Sequence, residues 1–396
     1  MKSFLHRIRT GIDIVRKKWP RRLREARVGL LVHPASVSAD MNHTADLLMK
    51  NKQCTVRALF GPQHGIRGET QDNMIEWEGF RDTKTDLPVF SLYGQTRKPC
   101  PEMLEIIDMM VIDLQDVGSR YYTFIWTMEL CMQACMESKK AVVIFDRPNP
   151  IGGRITEGPV LDQQYSSFVG QRPLPIRHGM TIGEIGHYLH HEYYPSLDFN
   201  VIAMEGWDRK MWFDETGLPW VMPSPNMPTL DTAIVYPGMC LLEGTNISEG
   251  RGTTRPFEIF GAPFIDPEML VGRLKDCNLP GMILRPMYFE PTFQKNAGKL
   301  CGGAQIHVIN REEFKPFRTG VAVLKVIHEL YPDQFAWKQP PYEYEYQKKP
   351  IDILAGTERL RRDIENDVPL DHMEEWWQEE RNQFDNNMRK KYLLYK

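Results

Sequence analysis

A chain of 396 residues with 42% hydrophobic and 26% charged residues has an ordinary globular composition and enough length for two domains. Its net charge of −3 and pI of about 6.4 exclude an electrostatic case for a nucleic-acid or anionic-membrane partner. No run approaches the roughly 20 apolar residues of a membrane span, and the basic opening "MKSFLHRIRTGIDIVRKKWP" lacks the apolar core of a secretory signal.

The first half alternates strand and helix signals. "VGLLV" (28–32) reads as a strand, "TADLLMK" (44–50) as a helix and "TVRALF" (55–60) as the next strand. "EMLEII" (102–107) has helical spacing, "MMVIDL" (109–114) is a strand, "TFIWTMELCMQACMES" (123–138) a long helix and "AVVIFD" (141–146) a strand again. Continuous apolar strands separated by helices predict an α/β fold with a Rossmann-like, mostly parallel sheet covered on both faces. "MTIGEIGHYLHHEYY" (180–194) predicts a helix capped by Thr181 with Glu184 as its box partner. Residues 221–258 read as Pro- and Gly-rich loops. Beyond them come a strand at "AQIHVIN" (304–310), a helix at "GVAVLKVIHELY" (320–331) and a charged helical tail over 371–396. The expected division is an N-terminal domain over 1–260 and a smaller α+β C-terminal domain over 261–396. The seven cysteines are odd in number and sit in apolar contexts, as buried free thiols do, so a reduced, cytoplasmic protein is expected.

Ligands of open parallel sheets bind beyond the carboxyl ends of the strands. Three strands here run into polar loops: "GPQHGIRGE" after 60, "QDVGSRYYT" after 114 and "RPNPIGG" after 146. The first offers Gln63, His64, Arg67 and Glu69, which are either ligand groups or the solvated face of a turn. The second offers Asp116, Ser119, Arg120, Tyr121 and Tyr122. Ser119 either caps the following helix or faces a ligand, and Asp116 either pairs with Arg120 or reacts. Asn149 stands in the third. "LPIRHGMT" adds Arg177 and His178 before a helix start, where anions are favoured and where His178 is equally suited to packing. "SPNMP" contributes Asn226. "LLEGTNISEGRGTTRPFE" gathers Glu243, Asn246, Glu249, Arg251, Thr254 and Arg255 among glycines, a set suited to a hydroxylated anion. No phosphate-loop motif supports a nucleotide, and no histidine spacing supports a metal; no cofactor is expected.

Together "FGPQHGIRGE", "DLQDVGSRYYTF", "DRPNPIGG…EGPVLD", "PIRHGMTIGE", "SPNMPTLDTAIVYPGMCLLEGTNISEGRGTTRPFE" and "YFEPTFQKNAG" resemble the DUF1343 family, from about Gly11 to the C-terminus. Its characterised members are exo-β-N-acetylmuramidases of the NamZ type. The resemblance implies a cleft between the two domains and a partner in peptidoglycan-derived saccharides that end in N-acetylmuramic acid. It also marks a departure. The family's first loop commonly reads "PEHG", its glutamate a leading candidate for the catalytic acid, and this chain has Gln63. An amide does not exchange protons as a carboxyl does. Either another of Glu69, Asp72, Asp116, Glu243 and Glu249 supplies the proton, or the chain binds muropeptides without hydrolysing them. Glu249 is the expected principal carboxylate with Asp116 or Glu69 assisting, unless the neighbouring arginines hold it as an ion-pair partner. One or more of Arg67, Arg120, Arg177 and Arg255 is expected to grip the lactyl carboxylate. Gln63 or Asn246 is suited to orienting the 2-acetamido group. The sequence carries no sign of oligomeric state.

Overall fold

The apolar runs of the first half pair into one sheet. The computed structural model describes residues 7–71 and 74–396, so Asp72 lies outside the described residues. Helix α1 (Gly11–Lys17) precedes β1 (Arg27–Val32), α2 (Thr44–Lys50), β2 (Thr55–Gly61), β3 (Phe80–Arg81) and β4 (Pro88–Ser91). Then follow α3 (Pro101–Glu105), β5 (Met109–Asp113), α4 (Phe124–Glu137), β6 (Ala141–Phe145), β7 (Glu157–Val160), β8 (Pro175–Arg177), α5 (Ile182–Tyr193) and β9 (Phe199–Ile202). Among the described residues the main sheet has the order β3-β4-β2-β1-β5-β6-β9, and only β3 pairs antiparallel. The expected α/β architecture is therefore present. Alternate residues feed two cores: Met110 and Ile112 of β5 pack toward α4, while Met109 and Val111 join Ile12 and Leu48 on the opposite face. That two-sided burial is why the strands are apolar throughout.

The second half adds α6 (Leu230–Met239), β10 (Ile259–Ala262), α7 (Pro267–Lys275), β11 (Met282–Phe289) and β12 (Cys301–Val308). Helices α8 (Pro316–Leu330), α9 (Pro350–Ala355), α10 (Arg359–Glu365) and α11 (Leu370–Asn387) complete it. The strands β10-β12-β11 form a small antiparallel sheet. Two expectations need correction. The stretch 221–258 is not all loop: Thr229 caps α6 by accepting from Thr232 N, and the helix runs through Pro237. Proline signalled a break there, but it falls late in the helix and costs a single intrahelical bond. Helix α6 crosses α8 so closely that a Cβ on Gly238 would lie 1.8 Å from Pro316 O, which only glycine tolerates. The tail helix ends at Asn387; the chain then turns back and Tyr395 donates to Asp146 at the end of β6 (2.5 Å).

Candidate active site

The loops leaving β2, β5 and β6 meet at the carboxyl edge of the sheet, as the parallel topology requires. A buried ion pair fixes that edge: Arg147 Nε and Nη2 hold Asp113 Oδ1 and Oδ2 at 2.5 and 2.8 Å. After β2 the chain turns sharply, with His64 and Gly65 at φ 71° and 84°. Few residues other than glycine enter this left-handed region, histidine more readily than most, and here it is held by an Nδ1 contact to Thr70 O at 2.8 Å. Gln63 is thereby turned inward and buried. Thr123, at the start of α4, donates to Gln63 Oε1 at 2.6 Å, which orients the amide so that its NH2 faces Glu343 Oε1 at 3.3 Å.

The hollow so formed is lined by Gln63, His64, Tyr122 and Thr123 on the sheet side and by Asn226, Tyr236, Glu243, Arg251 and Phe257 opposite. Tyr342 and Glu343 reach it from the segment between α8 and α9. Asn226 donates to Gln71 O at 2.8 Å and so ties the two walls together. Arg251 is the charge centre: Nη2 lies 2.7 Å from Glu243, and Nη1 lies 3.0 Å from Glu249. Lys295 Nζ is 2.7 Å from the other Glu249 oxygen and also donates to the carbonyls of Leu242, Thr245 and Ile247. Burial alone would push the Glu249 carboxyl up, but Lys295 and Arg251 together hold it at about 2. It is a fixed anion at neutral pH, which suits a counter-ion and not a proton donor.

A folded-state carboxyl held below its ordinary value of 4.5 contributes stability that is fully present above pH 4.5 and lost as pH falls toward 2. Glu249→Gln is therefore expected to flatten the acid limb of the stability profile between those pH values while lowering stability at pH 7. Urea midpoints measured across that range check it; an unchanged acid limb would contradict the ion-pair assignment.

The structure separates the expected site residues into two groups. Gln63, His64, Tyr122, Asn226, Glu243 and Arg251 share the hollow. The others do not line it. Arg120 is fully buried and donates to the carbonyls of Pro159, Leu174, Leu354 and Ala355 at 2.7–2.9 Å. Arg177 is likewise buried, donates to Ile151 O and lies over the Trp212 ring. Neither guanidinium is open to a ligand. Arg67 and Arg255 are exposed and paired with Asp82 and Glu258; Glu69 and Thr254 are also exposed. Asp116 accepts from Gly118 N at 2.7 Å and lies 3.2 Å from His178 Nε2, a buried pair that shapes the loop after β5. Ser119 is buried but is not the helix cap, because α4 starts only at Phe124. Asn149 donates to Met180 O and accepts from Ile151 N, a turn-forming role. Asn246 donates to Gln334 O and accepts from Ala336 N, so it anchors the segment that leads to Tyr342.

Sequence reasoning missed Tyr342, Glu343, Tyr93 and Lys295. The only local signal was the aromatic–acid alternation "YEYEY" at 342–346 and the lysine within "YFEPTFQKNAG".

A mostly parallel α/β sheet whose carboxyl-edge hollow is walled by residues from 226–257 and by Tyr342 and Glu343, with carboxylates, amides and aromatic rings lining it, defines a class of polar-ligand α/β proteins. Within that class the family follows from comparison: the family models for the N-terminal and C-terminal parts of exo-β-N-acetylmuramidase NamZ match residues 28–231 and 234–395, and this chain belongs to that family. It is 44% identical over 389 residues to the peptidoglycan β-N-acetylmuramidase NamZ of Bacillus subtilis strain 168, covering 98% of this chain and 92% of that protein. Two crystal structures of DUF1343 family proteins from Bacteroides fragilis superpose with TM-scores of 0.88 and 0.74 at 34% and 29% identity. Each comparison covers 98% of this chain and 99% of the other. Among the described residues no helix is long and apolar enough to cross a membrane.

Proposed function

We propose that this chain is a glycoside hydrolase that removes N-acetylmuramic acid from the non-reducing end of peptidoglycan-derived saccharides. The observation that carries the reading is the convergence of two carboxylates, Glu243 and Glu343, with the rings of Tyr122, Tyr236, Phe257 and Tyr342 on one hollow. Glycosidic bonds are cleaved between carboxyl groups, and aromatic rings supply the apolar wall that a pyranose face packs against. In this reading Gln63, His64, Tyr122 and Asn226 contact the sugar, while Glu249 serves as the buried counter-ion of Arg251 and Lys295. Asp116 shapes the loop. Arg67 and Arg255 lie outside the hollow, paired with Asp82 and Glu258, so a lactyl carboxylate reaches them only where the sugar projects from it. The cysteines, all free, suit a reducing compartment and turnover of cytoplasmic fragments.

Initial rates on 4-nitrophenyl β-N-acetylmuraminide and on the matching N-acetylglucosaminide test the reading. Nitrophenol is expected from the muraminide, with the glucosaminide at least about tenfold slower, the difference that one charge-assisted contact supplies. Binding of the muraminide without release of nitrophenol would instead make the chain a muropeptide-binding protein.

A further inference from the structure

We propose that Glu343 is the proton donor of the hydrolysis, a proposal that rests on the muramidase reading above. The residue stands where the substrate must lie, and the chain is shaped to put it there. Tyr342 N donates to Glu345 O and Glu345 N to Tyr342 O, both at 2.9 Å, so Glu343 and Tyr344 are the two central residues of a tight turn. Both have positive φ, 44° and 68°. Turns of this shape normally take Asn-Gly or Gly-Gly, because side chains strain the backbone there. A glutamate and a tyrosine at this tip cost stability, and such strain persists where surrounding contacts over-determine it. Those contacts are specific: the Arg97 guanidinium lies over the Tyr344 ring, 3.2 Å from its centroid, and Tyr342 donates to Glu243.

The turn delivers the Glu343 carboxyl into the hollow, where it is buried and has no cation within ion-pairing distance among the described residues. Tyr93 donates to its Oε2 at 2.8 Å and Gln63 to its Oε1 at 3.3 Å. The contrast with the other glutamates is chemical. Glu249 sits between two cations, whereas Glu343 is held by neutral donors and shares the hollow with Glu243 and Arg251. Burial pushes its carboxyl up to about 7, so a proton is available near neutrality. Gln63 fits this arrangement: it offers Glu343 an N–H without competing for the proton, as a second carboxyl at that distance would.

In the reaction the Glu343 carboxyl gives its proton to the glycosidic oxygen as the C1–O bond breaks. The electron pair of that bond stays on the oxygen, which leaves as the hydroxyl of the departing sugar. A water oxygen then bonds to C1, and the proton that this water loses returns to the Glu343 carboxylate.

The test compares Glu343→Gln with the wild type on two substrates. One is the disaccharide N-acetylmuramyl-β-1,4-N-acetylglucosamine, whose leaving group needs a proton. The other is the 4-nitrophenyl muraminide, whose leaving group does not. The expected result is a loss of about 10²–10⁴ in kcat/KM on the disaccharide and a loss of at most about tenfold in kcat/KM on the aryl glycoside, whose leaving group departs before residue 343 takes up the water's proton. The double variant Gln63→Glu/Glu343→Gln returns one carboxyl and one amide to the same pair and is expected to regain part of the disaccharide rate. Near-wild-type turnover of the disaccharide by Glu343→Gln would overturn the assignment and leave the muramidase reading standing. Equal losses on both substrates would also overturn it, by making the residue structural. A wild-type protein inactive on both substrates would overturn the muramidase reading itself and this assignment with it.

Discussion

Arg120→Leu is expected to lower folding stability by about 3 kcal/mol or more, since each buried carbonyl left without a donor costs about 1–3 kcal/mol. The guanidinium spans two parts of the molecule: Nη1 serves Pro159 and Leu174, and Nη2 serves Leu354 and Ala355 at the end of α9. One side chain therefore fastens the C-terminal helices to the loops of the main sheet. Burial depresses its pKa to about 10, yet it stays charged at neutral pH. Arg120→Lys is expected to recover little, because a single ammonium cannot reach both pairs of carbonyls that the planar fork spans. Urea denaturation of the three proteins measures it. A loss below about 1 kcal/mol in the leucine variant, the worth of one ordinary hydrogen bond, would show that the carbonyls find other donors.

Arg251→Met is expected to be as damaging for a different reason. It removes the cation shared by Glu243 and Glu249, both buried, and stripping one partner from a buried ion pair costs about 3–5 kcal/mol. Lys295 still neutralises Glu249, so Glu243 bears most of the loss; the Tyr342 hydroxyl and the Cys240 thiol are among its donors, and neither carries a positive charge. The double variant Arg251→Met/Glu243→Gln should then recover much of the stability, while neither variant hydrolyses normally, since both residues line the hollow. If the double variant is no more stable than the single one, the charge balance is not what Arg251 supplies.

The strands and their order of chemistry could be read from the sequence because each is a short local signal: an apolar run, then a polar loop. Gln63, His64, Tyr122 and Asn226 were legible for the same reason, being polar groups beside strand ends or in Pro-rich loops. Arg120 misled because its fate is decided by carbonyls 234 and 235 residues further on. In the sequence it is one more arginine in a polar loop; in the fold it is a structural rivet. Glu343 was invisible for the complementary reason. It meets Gln63 across 280 residues, carried by a turn whose "YEYEY" tip looks like an exposed charged loop. Glu249 shows a third case: its flanking arginines were legible, but only the arrival of Lys295 shows how firmly its charge is held.

The most direct test of the proposed activity is product analysis on a defined tetrasaccharide, N-acetylmuramic acid at its non-reducing end and alternating with N-acetylglucosamine, labelled at the reducing end. Exo-acting removal of the terminal muramic acid predicts free N-acetylmuramic acid and a labelled trisaccharide that begins with N-acetylglucosamine and is cut no further. Labelled disaccharide appearing at early times, or no free N-acetylmuramic acid at all, would contradict it.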